Sequence, residues 1–223
     1  MAAQRITKRK KERFRTTLLT WYAEYGRDLP WRHTDDPYHV LVSEIMLQQT
    51  QVNRVIPKYH EFLEKYPDIS TLSKASPEDV QNTWKPLGYN IRPVRLQTIA
   101  CEVQAEYGGT IPDSPEELQN LKGIGKYTAG AVSCFGYKKS VPLVDTNVDR
   151  FLQRVFYGKN TSKNNSDSKT IWKLAAELVP DDGSSYDYNQ ALMDFGAMVC
   201  TARKPLCLIC RMAAFCLAYP VYT

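Results

Sequence analysis

The chain has 223 residues, enough for one sizeable core or two small lobes, and its 43% hydrophobic and 24% charged residues are an ordinary globular balance. No apolar run approaches the ~18 residues of a membrane span and the N-terminus has no apolar leader, which points to a cytoplasmic protein without a membrane partner. A net charge of +5 permits a polyanionic partner without requiring one.

Hydrophobic spacing is helical almost throughout, with no convincing strand of period two. The opening RITKRKKERFR holds seven cations between Arg5 and Arg15 and reads as a solvated, frayed terminus, with a phosphate-contacting arm as the alternative. Leu18, Leu19, Tyr22 and Tyr25 share a face of a first helix that stops near Gly26. A proline-rich turn, DLPWRHTDDPY, leads into HVLVSEIMLQQT and then NRVIPKYHEFLEKY. Ser76 with Pro77, and Ser114 with Pro115, mark two helix starts by cap residue and first-turn proline. Further helices are expected at about 93–106, 127–137, 146–157, 168–179 and 187–199, and the polar stretch 157–169 is expected to be a surface loop. Without a solenoid repeat, the frame is all-α.

Four of the six cysteines, Cys200, Cys207, Cys210 and Cys216, fall in CTARKPLCLICRMAAFC. Disulfides, a structural zinc and an iron-sulfur cluster are the explanations to weigh. A reducing compartment weakens the first. Zinc sites usually show two close cysteine pairs, whereas only Cys207 and Cys210 form one here, although four thiolates suit either metal. Cys101 and Cys134 lie in apolar helical stretches and are expected to be buried thiols.

Three further places carry chemistry. LKGIGKYTAGAV sets Gly123 and Gly125 between two helices, where they make either a plain tight turn or a hairpin whose amides hold a phosphate. Asp145, in VPLVDTNVDR, stands at the mouth of the next helix, where a plain N-cap would contribute about 1 kcal/mol. Glu44 lies three or four residues from Val40, Leu41 and Leu47, so helical geometry puts its carboxyl on an apolar face. A carboxylate there must be paired or protonated; a raised pKa would suit a general acid, and a structural ion pair is the plain alternative.

The hairpin with its following aspartate, and the spacing C-x6-C-x2-C-x5-C, resemble the endonuclease III superfamily of helix-hairpin-helix DNA glycosylases. Over nearly its whole length the chain is similar to the catalytic domain of the MutY-type adenine DNA glycosylases, through LPWRHTDDPYHVLVSEIMLQQTQV, LGY, LKGIGKYTAGAV, VDTNVDR and YNQALMDFGAMVCTARKP. The resemblance implies a 4Fe-4S cluster on the four cysteines, structural rather than catalytic, and a substrate of double-stranded DNA containing a mismatch. It implies that Glu44 protonates an extruded adenine and that Asp145 stabilises or briefly bonds the sugar, with Asn147 nearby. Tyr127 occupies the slot where bifunctional relatives carry a Schiff-base lysine, so base removal with weak or no strand cleavage is implied. Arg32 and Gln190 match positions lining the base pocket, Gln49 and Tyr89 match residues that enter the duplex, and Gln48 is expected to bind substrate or DNA beside them. Gly123, Gly125, Lys126, Arg203 and Lys204 would meet the DNA backbone.

The implied architecture is two helical lobes, a bundle of residues 29–139 with the hairpin and a cluster domain of residues 1–28 plus 140–223, with the base entering the groove between them. A monomer associated with the nucleoid is the implied state. Three features depart from the family pattern: Thr146 and Asn90 stand where glycine and a second tyrosine are common, and only seven residues follow Cys216, so the catalytic lobes alone are expected to read the opposite base. Short length and Tyr127 also resemble archaeal thymine/uracil mismatch glycosylases. Against them stand the glutamines of QQTQV and YNQALMD, which offer an adenine edge both a donor and an acceptor. A non-catalytic DNA-binding module is a further alternative, opposed by the presence of both Glu44 and Asp145.

Overall fold

The computed structural model describes residues 6–88, 91–158 and 168–220. Among these the α-helices are, in chain order, α1 (Lys8–Tyr25), α2 (Pro37–Leu47), α3 (Val52–Lys65), α4 (Ile69–Lys74), α5 (Pro77–Trp84), α6 (Ile91–Glu106), α7 (Pro115–Asn120), α8 (Lys126–Ala131), α9 (Thr146–Tyr157), α10 (Ser168–Leu178) and α11 (Ser185–Met198). A π-helical turn, Val132–Gly136, continues α8. No strand occurs among the described residues, so the fold is all-α. Tyr89 and positions 159–167 of the expected polar loop lie outside the described residues.

Local sequence sets the ends of these helices. Ser76 and Ser114 accept from the amides of Asp79 and Glu117, with Pro77 and Pro115 leading each helix. Asp36 caps α2 and Asp68 caps α4 in the same way. Gly158 closes α9 in the left-handed conformation at φ 64°. Helix α4, six residues long, is too short to show a hydrophobic period and is not foreseen from the sequence.

The chain divides into two compact units, residues 28–139 and residues 1–27 with 140–223. In the first, α2 is the central helix: Tyr38 and every residue from Val40 to Met46 are buried, which requires neighbours on all sides. Helices α3, α6 and α8 and the π-helical turn supply them. Gly136 lets the turn approach the start of α2 closely, since a Cβ there would stand 2.8 Å from the Pro37 Cα. Phe62 meets Trp84 edge-on at 5.7 Å, and Trp31 meets Tyr59 at 5.5 Å.

The second unit packs α1, α9, α10 and α11 around an aromatic core of Phe14, Trp21, Phe151, Phe156 and Phe195. Phe151 stacks on Phe195 at 4.7 Å, and Trp21 meets the same ring edge-on at 4.9 Å. Cys200, Cys210 and Cys216 pack partly buried against this core.

Two expectations need correction. From Lys8 onward the basic opening is not a frayed arm: it is the first two turns of α1, and four of its cations, Lys10, Lys11, Arg13 and Arg15, meet other parts of the protein. Arg15 donates to the carbonyls of Leu178 and Val179 at the end of α10, at 2.7 and 2.9 Å, and Lys11 pairs with Glu177 at 3.1 Å. Lys10 and Arg13 each lie 5.1 Å from an aromatic centroid, those of Phe156 and Phe215. Cys134 is buried as expected, but Cys101 is exposed. The buried face of α6 runs through Leu96, Ile99, Ala100 and Val103, and position 101 falls beside it, where the thiol donates to the Ser73 carbonyl at 3.5 Å.

Candidate active site

In the unit of residues 28–139, Glu44 sits in the middle of α2 with only 7% of its surface exposed. Arg32, half-buried, ends a short 3-10 turn, Pro30–Arg32, ahead of this helix. At the other end, α2 stops at Leu47, and the chain turns sharply through Gln48, Gln49 and Thr50. Gln49 is exposed and held at φ 55°, a left-handed conformation that costs a non-glycine residue about 1–2 kcal/mol. The turn is fixed by the Thr50 amide donating to Leu47 O at 3.2 Å and by the Thr50 hydroxyl donating to Gln48 O at 3.3 Å.

A residue without a sequence signal holds this turn. Arg92, 3% exposed on α6, donates from Nη1 to Ile45 O, Met46 O and Gln48 O at 3.2, 2.8 and 2.6 Å. From Nη2 it donates to Leu87 O and Gly88 O at 3.3 and 3.2 Å. Its guanidinium lies 5.5 Å from the Trp84 ring centroid. Ile45 and Met46 are among the last residues of α2, whose carbonyls have no partner within the helix, and a cation is favoured there.

The hairpin runs from α7 to α8. Leu121 and Ile124 are buried anchors on either side of Gly123, and Gly123 stands at φ 101°, which a side chain rarely adopts. The Lys122 amide, one of the hairpin donors, is taken by Glu102 Oε2 at 2.8 Å. Gly125 caps α8 with open space around it, Lys126 is exposed at the first helical position, and Tyr127 follows half-buried.

In the other unit, Asp145 is the N-cap of α9: Oδ1 accepts the Val148 amide at 2.7 Å, while Oδ2 accepts from the Asn147 side-chain amide at 3.0 Å. Asn147 is fixed in turn, because its Oδ1 accepts from Arg150 Nη2 at 2.9 Å, and the same nitrogen donates to Gly196 O at 2.7 Å. Gly196 allows α11 against this segment; a Cβ there would lie 2.8 Å from the Asn147 carbonyl oxygen. Gln190, 3% exposed, stands on α11. The Asp145 carboxylate thus caps a helix, as its place in the sequence predicts, and is oriented by a relay from Asn147 to Arg150. The spacing of Arg150, one helical turn from Asn147, is the signal by which sequence could have found it.

The four clustered cysteines line one pocket, with Phe151, Arg154 and Met212 among its other walls. Among the described residues no group of three His, Cys, Asp or Glu side chains is disposed to hold a single metal ion. Burial pushes the Cys210 thiol up to about 11, and it also raises those of Cys200 and Cys216, with neighbouring thiols adding repulsion. Four thiolates in this cavity therefore require positive charge beside them. Arg154, 3% exposed, supplies part of it: Nη1 lies 3.5 Å from Cys200 Sγ and donates to Thr201 O at 2.7 Å, and Nη2 donates to Ala202 O at 3.1 Å. Arg150 Nε donates to Cys200 O at 2.9 Å. Arg203 and Lys204 are exposed on the loop between the first two cysteines.

Comparison with known proteins agrees with this geometry. Residues 200–216 match the iron-sulfur binding domain of endonuclease III, a segment that holds Cys200, Cys207, Cys210 and Cys216, so the cofactor is an iron-sulfur cluster of the 4Fe-4S kind. The chain is 42% identical over 197 residues to the adenine DNA glycosylase of Mycolicibacterium smegmatis, covering 88% of this chain and 66% of that protein. It is 37% identical over 214 residues to the thymine/uracil-DNA glycosylase of Methanothermobacter thermautotrophicus, covering 96% of each. The solved structure of a thermostable thymine-DNA glycosylase superposes with a TM-score of 0.88 at 36% identity, over 96% of this chain and 98% of that one. The chain spans less than two thirds of the length of the adenine DNA glycosylases it matches. With residues 42–177 matching the HhH-GPD superfamily of base excision DNA repair proteins, the chain belongs to that superfamily.

Proposed function

We propose that the chain is a monofunctional DNA glycosylase of base excision repair that removes adenine mispaired with guanine or 8-oxoguanine, working as a monomer on double-stranded DNA in the cytoplasm. The observation that carries the reading is the Asp145 carboxylate, fixed through one oxygen by the Val148 amide and through the other by Asn147. An ionised carboxylate so oriented stabilises positive charge developing on the deoxyribose as the base departs. Glu44, buried in α2, is the proton donor to the extruded base, and adenine then leaves without its negative charge. Tyr127 cannot form an imine, so the reaction stops at base removal. Gln190 and Arg32 meet the extruded base, Gln49 and Tyr89 enter the duplex with Gln48 beside them, and the hairpin glycines with Lys126, Arg203 and Lys204 hold the DNA backbone. The iron-sulfur cluster, when bound, braces the loop that carries Arg203 and Lys204.

The preference for adenine is supported by the 42% identity to the mycobacterial adenine enzyme, against 37% to the thymine/uracil enzyme. The second reading, excision of thymine or uracil opposite guanine, is supported by length, since that relative matches over 96% of both chains. Asparagine caps a helix as well as aspartate, so the Asp145→Asn protein should fold normally and lose about 10²–10⁴-fold in base removal. Equal product from both proteins would overturn the catalytic reading and leave a DNA-binding module. End-labelled duplexes carrying A opposite G, A opposite 8-oxoguanine, T opposite G and U opposite G, cleaved at abasic sites by hot alkali, separate the substrates. Preferential cutting of the T or U strand favours the second reading.

A further inference from the structure

The Arg92 guanidinium joins two pieces of backbone distant in sequence. Ile45, Met46 and Gln48 lie 44–47 residues before it, and Leu87 and Gly88 only four or five. Its two terminal nitrogens divide the work, Nη1 taking the end of α2 and Nη2 taking the Leu87–Gly88 turn. Both pieces are backbone that regular structure does not satisfy: the α2 carbonyls are past the last intrahelical bond, and Gly88 stands at φ 73°. Within the first piece Gln49, next to Gln48, is exposed at φ 55°. A helix needs no such clamp merely to end. The five carbonyls gathered by one planar, buried cation instead fix the orientation of the single exposed residue that the α2 turn displays.

We infer that Arg92 is a positioning residue for duplex entry. It holds the Gln48–Thr50 turn rigidly against the Leu87–Gly88 turn, so that the Gln49 side chain reaches the base stack already oriented. The inference deepens the glycosylase reading and rests on it, but it concerns base extrusion rather than bond cleavage. Lysine at position 92 keeps the charge and loses the fork, since an ammonium cannot span both sets of carbonyls. The loss of preorganisation falls on substrates whose base must be pulled from the stack, and it spares substrates whose base is already out.

The test uses the full chain with its cluster and four proteins: the parent, Arg92→Lys, Gln49→Ala and the double variant. Each is measured on a mismatched duplex and on the same strand with the target base in an unpaired loop, with 2-aminopurine beside the target reporting unstacking by fluorescence. On the mismatched duplex, Arg92→Lys is expected to lose about 10²-fold in single-turnover rate and most of the fluorescence rise, as a displacement of about 1 Å would produce. On the looped substrate its rate stays within about 3-fold of the parent, and on the duplex the double variant is no worse than the poorer single variant. Equal loss on both substrates, or additive losses in the double variant, would overturn the inference. A parent protein that releases no base from any substrate would end the glycosylase reading, yet the fluorescence comparison would still decide the role of Arg92. Should Arg92→Lys unfold, Gly88→Ala, which strains the second turn at positive φ without touching the guanidinium, gives the same comparison.

Discussion

In the unit of residues 28–139, Arg92 gathers carbonyl oxygens from the end of α2 and from Leu87–Gly88, while in the other unit Arg154 and Arg150 gather those of Gly196, Cys200, Thr201 and Ala202. The device is the same: a guanidinium replaces a missing ladder wherever the backbone leaves a helix and turns irregular. What surrounds it differs. Around Arg92 the walls are Trp84 and an apolar helix, and all five carbonyls that its terminal nitrogens meet are backbone of the same unit. Around Arg154 the walls include four thiols, three of which burial pushes toward the protonated form. One unit closes its irregular backbone by itself, and the other does so around a metal group whose charge the thiolates need.

The largest effect that would break this comparison is removal of a cluster ligand. Cys210→Ala should abolish iron binding and lower the stability of the unit containing α9 and α11 by about 3 kcal/mol or more, roughly 10 °C in unfolding midpoint. Iron content per chain and the thermal transition measure it together. A variant that retains a full complement of iron would show that the four thiols are not all ligands, and one that loses iron without destabilisation would show that the unit closes as independently as its neighbour.

A smaller and sharper effect separates the arginines. Replacing either by methionine strands carbonyls and should cost about 2–4 kcal/mol by denaturant unfolding. For Arg154→Met the loss should shrink when iron is chelated, because the Cys200 thiol 3.5 Å from the guanidinium is then protonated, and the rate of iron release should rise. For Arg92→Met the cost should be indifferent to iron. If chelation changed both costs alike, the contrast between a self-sufficient and a metal-dependent unit would fall.

Much of this was legible in the sequence because its signals are local. The expected helix at 146–157 is α9, and Ser76–Pro77 and Ser114–Pro115 begin helices, since a cap and a first-turn proline act within one turn. The cysteine spacing is local too, with its ligands inside seventeen residues. The clamps of Arg92 and Arg154 were not legible. An arginine in an apolar helix reads as a solvated position, and what makes Arg92 structural is a set of carbonyls up to 47 residues away. Gly196 was hidden for the same reason: its lack of a side chain matters only because the Asn147 carbonyl, 49 positions earlier, is 2.8 Å from where a Cβ would be. Cys101 and the basic opening misled because composition gives a tendency to bury or to solvate, whereas helix phase decides which side each residue takes.

The smallest expected effect lies at Gln49. Its left-handed φ of 55° is a conformation that glycine adopts freely, so Gln49→Gly relieves about 1–2 kcal/mol of strain. Glycine also raises the entropy of the unfolded chain, which costs about 0.5–1 kcal/mol. Stability should therefore rise slightly, by no more than about 1 kcal/mol, while base removal from a mismatched duplex falls, because the side chain that the Arg92 clamp orients is gone. Opposite signs in the unfolding midpoint and the excision rate are the outcome to look for, since a residue kept in a strained conformation for the sake of folding alone would show both moving together. If Gln49→Gly proves more stable and equally active, the strain at the end of α2 belongs to the turn and not to DNA, and the Arg92 clamp would then be no more than a way of ending a helix.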